Sequence, residues 1–239
     1  MDGNTFEKTY TFVIDSKGPE AQTMSFDENN IKIGYKESYL NKVLVFGSAA
    51  SVDKNGVATI KKSAAKNDKL FITASDVVGN ETKSIIHPDD EYALMISHKS
   101  FTSNYDFSYE LKEKNGIKDF TVTYMKSKTS ETSLSNAVVT IPVPTVFDAS
   151  KIEVYNYNKS GKRIKSNNVT IKGDTIYFMA STGHFVILDS SVAKPEDIDG
   201  DVPAPAKGCG GSVAATSVIL SATALMSVVL LAVRKRKED

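Results

Sequence analysis

The feature that most constrains the fold is a strict alternation of apolar and polar side chains. Phe107, Tyr109 and Leu111 alternate with Ser108 and Glu110, and Phe120, Val122 and Tyr124 alternate with Thr121 and Thr123. Ile152 and Val154 do the same around Glu153. Successive side chains of an extended chain point to opposite faces, so this pattern buries one face of a sheet and wets the other. Strand-like runs continue on both sides of these segments. They cover 22–26, 31–35, 42–46, 57–61, 70–75 and 82–86, then 93–98, 138–143, 169–172, 175–179 and 185–188. Turn residues separate them: Asp53-Lys54-Asn55-Gly56, Asn115-Gly116, Asn158-Lys159-Ser160-Gly161, Lys172-Gly173-Asp174 and Thr182-Gly183. Such residues supply positive φ or bond nearby backbone, and short strands at this spacing point to sandwiches. The chain therefore reads as all-β, with one β-sandwich over 18–88 and a second over 89–190. Pro142 and Pro144 lack the amide a central strand needs, which places their strand end at an edge.

The carboxyl end has a different character. Residues 212–233 form a run of 22 without a charge, followed by Arg234-Lys235-Arg236-Lys237. As a helix this run is about 33 Å long, enough to cross a bilayer core. The basic cluster behind it is the stop-transfer signal, and the positive-inside bias puts residues 234–239 in the cytoplasm and the rest outside. The expected location is a cell membrane, crossed once. Residues 191–211 read as a linker, extended by Pro195, Pro203 and Pro205 and by the like charges of Glu196, Asp197, Asp199 and Asp201.

Charge and motifs narrow the function classes. Formal net charge is zero, with 29 basic and 29 acidic residues, so nothing points to nucleic acid. The single cysteine, Cys209, leaves the body without disulfides. No H-E-x-x-H or Cys/His cluster is present, and His87, His98 and His184 are scattered. There is no G-x-S-x-G elbow, Walker loop or dinucleotide fingerprint. The carboxylate run Asp89-Asp90-Glu91 reads as solvated charge. We therefore expect a protein that is not an enzyme.

A repeat is visible as well. Gly3-Asn4 and Gly79-Asn80 lie 76 positions apart, each beside a strand-like run. Asp76-Val77-Val78-Gly79-Asn80 closing one unit, with Phe12-Val13-Ile14-Asp15 and Pro19 opening another, resembles the Ig-like or fibronectin-III-like repeats of bacterial surface proteins. The resemblance implies Ig-like sandwiches, with residues 1–17 as the last strand of a truncated preceding repeat. Ile141-Pro142-Val143-Pro144, Val154-Tyr155-Asn156-Tyr157 and Gly183-His184-Phe185-Val186-Ile187-Leu188 resemble a sandwich module near the membrane end of such proteins. Lys207-Gly208-Cys209-Gly210-Gly211, the apolar run and the basic tail together resemble a C-terminal sorting signal. The chain departs from that pattern, because no Leu-Pro-x-Thr-Gly is present.

Several site readings follow. Asp76 and Asn80 are either the bonding residues of a tight turn or oxygen ligands for calcium. No other cofactor is expected. Gly208, Cys209 and Gly210 are either a flexible joint or a point of processing or acylation by a C-terminal protease or acyl donor. The partners implied are the membrane and an extracellular protein or glycan. The leading reading is a stalk or adhesive module. One alternative is the anchoring end of a larger surface hydrolase whose catalytic domain lies upstream. Another is a sugar-binding module using Tyr155, Tyr157 and Tyr177 as an aromatic platform.

Overall fold

A computed structural model describes residues 15–198, except Ser38, Lys128 and Thr129. The described chain is all-β, with eighteen strands, three 3-10 turns and no α-helix. The strands are β1 (Glu20–Phe26), β2 (Asn30–Lys36), β3 (Leu40–Val45), β4 (Ser48–Ala49), β5 (Ser51–Val52), β6 (Val57–Lys61), β7 (Leu70–Asp76) and β8 (Glu81–Ile86). They continue as β9 (Met95–Ser97), β10 (Tyr105–Lys114), β11 (Ile117–Lys126), β12 (Ser130–Thr132), β13 (Ala137–Pro142) and β14 (Ile152–Tyr157). The last four are β15 (Arg163–Lys165), β16 (Val169–Lys172), β17 (Thr175–Ala180) and β18 (His184–Asp189).

These strands form three antiparallel sheets. One has the order β1-β2-β6-β5. A second runs β10-β11-β18-β14-β15, with β12 added to β11. The third has eight strands, β16-β17-β13-β9-β8-β7-β3-β4, and draws on both halves of the sequence. Its centre is the β8–β9 pair, in register Ser84↔Ser97, Ile85↔Ile96 and Ile86↔Met95. The boundary expected near residue 88 falls in the connection between these two neighbouring strands.

Burial explains how one sheet serves both halves. In β8 and β9 the residues Ser84, Ile85, Ile86, Met95, Ile96 and Ser97 are all buried, so alternation is lost there. That is the mark of a strand covered on both faces. Ile86 and Met95 join a core with Ile31, Ile33, Ile60 and Leu70, beneath the β1–β2–β6–β5 sheet. Ile85 and Ile96 face the other way, into a core with Phe120, Phe178, Phe185 and Ile187, against the β10–β11–β18–β14 sheet. Aromatic rings run through this second core. Phe120 stacks on Phe185 at 5.1 Å between centroids, and Phe178 meets Phe185 edge-on at 5.1 Å. Ser84 and Ser97, the buried polar pair, satisfy each other through a 2.7 Å bond between hydroxyls.

Local chemistry fixes the connections. Asp53 Oδ1 accepts from the amides of Asn55 (2.8 Å) and Val57 (2.9 Å), and Gly56 takes φ 76°, closing the β5–β6 hairpin that the sequence announces. Gly116 (φ 72°) turns β10 into β11, and a Cβ there would lie 3.1 Å from that of Ala193. Pro142 ends β13, an interior strand. It pairs with Thr175 on one side, while on the other β9 has already stopped opposite Thr140. The proline thus meets an open side without the whole strand being an edge.

The chain then returns over the outer face of the second sheet. Residues 191–198, the start of the stretch read above as linker, lie against it. Ala193 and Ile198 are buried with Ile117, Tyr155, Tyr157, Val186 and Leu188 in a third, smaller core. Arg163 donates to Ile198 O at 3.3 Å and Lys114 to Asp197 O at 3.5 Å.

Candidate functional site

Asp76 ends β7, and the turn it starts is built on its own side chain. Oδ1 accepts from the amides of Val78 and Asn80, both at 2.9 Å, and Oδ2 accepts from Asn80 Nδ2 at 2.7 Å. Gly79 supplies φ 95°. Burial works to raise the Asp76 pKa, but the hydrogen bonds from Asn80, Gly79 and Val78 hold it below the usual carboxylate value. Asn80 Nδ2 also donates to Asp15 O at 3.2 Å. The Asn80 amide nitrogen therefore faces the carboxylate, the geometry of the turn reading.

Two further acids come close to this turn. Carboxylate oxygens of Asp15, Glu37 and Asp76 all lie within 4.8 Å of one another, hard oxygen donors of the kind a calcium ion takes. Each already accepts a backbone amide: Lys17 N–H at 3.1 Å on Asp15 and Tyr39 N–H at 2.9 Å on Glu37. Nothing in the residue pattern points to Asp15 or Glu37 as partners of Asp76, since only the fold brings positions 15, 37 and 76 together. Tyr39, Val77 and Val78 are exposed at the same end.

The histidines that look scattered in sequence occupy distinct places. Leu70 pairs with Ile86, so the next positions, Lys69 and His87, are neighbours at the end of β7 and β8. Both reach Asp106 of β10. His87 Nε2 lies 2.9 Å from Asp106 Oδ1 and Lys69 Nζ 3.5 Å from Oδ2. Lys69 also donates to Tyr105 O. Burial works to raise the Asp106 pKa, but hydrogen bonds from His87 and Phe107, with the Lys69 charge, hold it below the usual carboxylate range. The cluster clamps one sheet to another. His184, half-buried at the start of β18, contacts Asp119 at 2.7 Å and stacks on Tyr157 at 3.7 Å. His98 lines a cleft of about 640 Å³ with Lys83, Lys99, Ser100 and Asn136. Burial there pushes its pKa down.

Asp90, read as solvated charge, accepts from Tyr92 N–H at 2.9 Å and from the Tyr109 hydroxyl. The three tyrosines considered for a sugar platform do not share a surface. Tyr155 and Tyr157 are buried in the small third core, and Tyr177 belongs to β17 in the eight-stranded sheet. Burial, with the Glu153 hydrogen bond, pushes the Tyr155 hydroxyl up to about 12.

Gly208, Cys209, Gly210, the apolar run and Arg234, Lys235, Arg236 and Lys237 lie outside the described residues. Among the described residues no helix is long and apolar enough to cross a membrane. No family model, curated protein or solved structure matches this chain.

Proposed function

We propose that the chain is a non-enzymatic surface protein, held at a cell membrane by residues 212–233, whose β-rich body faces outside as a stalk or adhesive module. The observation that carries this reading is the uncharged run of 22 residues ending at four consecutive basic ones. The body supports it. Two large apolar cores, one against each neighbouring sheet, favour two Ig-like modules joined rigidly through a common sheet. Exposed loops such as Tyr39, Val77 and Val78 offer contact surface at one end.

The test is topology in cells. With an epitope at the amino end, the body should resist alkaline carbonate extraction from membranes and be cleaved by protease added to intact cells. Replacing Leu220, Leu225, Leu230 and Leu231 with charged residues should release it. Recovery of the intact chain in the soluble cytosolic fraction would overturn the proposal.

A further inference from the structure

β10 leaves one side of its backbone open. Ser127 N–H donates to Asn104 O at 2.8 Å, which sets the parity of the β10–β11 ladder: even-numbered backbone groups of β10 face β11. Odd-numbered groups face away. Three contacts agree with this. Tyr105 N–H donates to Thr102 O at 3.0 Å, Lys69 donates to Tyr105 O, and Phe107 N–H donates to Asp106 Oδ1 at 2.8 Å. Beyond them the edge is bare. The outward amides and carbonyls of Tyr109, Leu111 and Glu113 meet no partner among the described residues. A strand edge without a bulge in this state is a template for another strand.

We propose that this edge pairs with β10 of a second copy, antiparallel, about a two-fold axis at Leu111. Charge selects both partner and register. In this register Leu111 opposes Leu111, Tyr109 opposes Glu113, and exposed Glu110 opposes exposed Lys112 twice, once on each side of the axis. The open amides and carbonyls of Tyr109, Leu111 and Glu113 then all find partners. An axis at Tyr109 would push Tyr105 and Phe107, already bonded, into the new ladder. An axis at Glu113 would run past the strand end and set Lys112 against Lys114. Opposite charges directly across a strand pair attract and like charges repel, so only the Leu111 axis satisfies both backbone and charge. The sequence is complementary to itself, as an isologous interface requires.

Sedimentation of the full chain over a concentration series, in detergent where the tail requires it, reads the dimer. Glu110→Lys should raise the dissociation constant roughly tenfold, because two attractive pairs become repulsive. Glu110→Lys combined with Lys112→Glu should restore it. Both positions are exposed, so neither change threatens the fold. Leu111→Pro should abolish the dimer while leaving the β-sheet circular dichroism unchanged, since that amide does not face β11. The Tyr109, Leu111 and Glu113 amides should exchange slowly only at concentrations where the dimer forms. Four results would overturn the proposal: a monomer at every concentration, a dimer indifferent to Glu110→Lys, no rescue by the double exchange, or slow exchange of these amides in the monomer. The last would show that another segment of the same chain covers the edge.

Discussion

Asp106 carries more structural consequence than its neighbours. It receives Lys69 and His87 from the eight-stranded sheet while belonging to β10 of another, and Lys69 is only 4% exposed. Removing the carboxylate strands a buried ammonium. Asp106→Ala should therefore destabilise the protein by about 3 kcal/mol in urea titrations. The folded pKa of Asp106 lies below its unfolded value, so the unfolded chain holds the proton more tightly in acid. The stabilisation is complete above the unfolded carboxylate pKa of about 3.9 and is lost as pH falls through the lower folded value. Asp106→Asn should flatten the acid limb of the stability curve, and an unchanged limb would show that the clamp contributes little. At this scale the turn chemistry was legible: Asp53–Gly56 and Asp76–Asn80 bond as their residue types predict. The clamp was not, because positions 69, 87 and 106 are neighbours only after β7 has paired with β8 and the sheet holding β10 has packed against theirs.

Among elements, β8 and β9 decide the architecture. The sequence pattern places β6 and β16 with the bounds the structure has and finds most other long strands within a residue or two. Where alternation fails, the pattern finds the strands but not the sheets they join. Ile85 and Ile86, like Met95 and Ile96, read as undivided apolar runs because each strand feeds two cores. A run of that kind shows burial but not which sheets cover it, so the joining of the two halves was hidden. The expected strand 93–98 is also shortened, because Ala93 takes φ 45° and breaks the extended chain before Met95. Strands β4, β5 and β15, two or three residues long, are too short to show a period. The Ser84–Ser97 hydroxyl pair tests the double burial. Ser97→Ala should cost about 1–2 kcal/mol by leaving the Ser84 hydroxyl unsatisfied, while the double alanine variant should cost less than the two singles summed. Additive costs would mean that water reaches this pair.

For the whole molecule, the shared sheet makes a prediction about cooperativity. Two separate sandwiches would melt independently. Here residues 15–88 contribute β3, β4, β7 and β8 to a sheet completed by β9, β13, β16 and β17. Fluorescence of the tyrosines and far-ultraviolet circular dichroism should report one coincident transition across the described region. A fragment ending at residue 88 should expose Ile85, leave β8 without its β9 partner and fail to give dispersed amide resonances. Two resolved transitions would show that the halves are energetically separate despite the common sheet.

The returning segment 191–198 gives the molecule a mechanical property. Ala193 and Ile198 hold it flat on the outer face of β11, β14 and β18, with Gly116 leaving room beneath Ala193. A tug applied beyond Ile198 would reach this short patch before the large cores. The sheet beneath feels the load only after the patch has gone. We therefore expect these eight residues to give way under tension before the large cores behind them carry load.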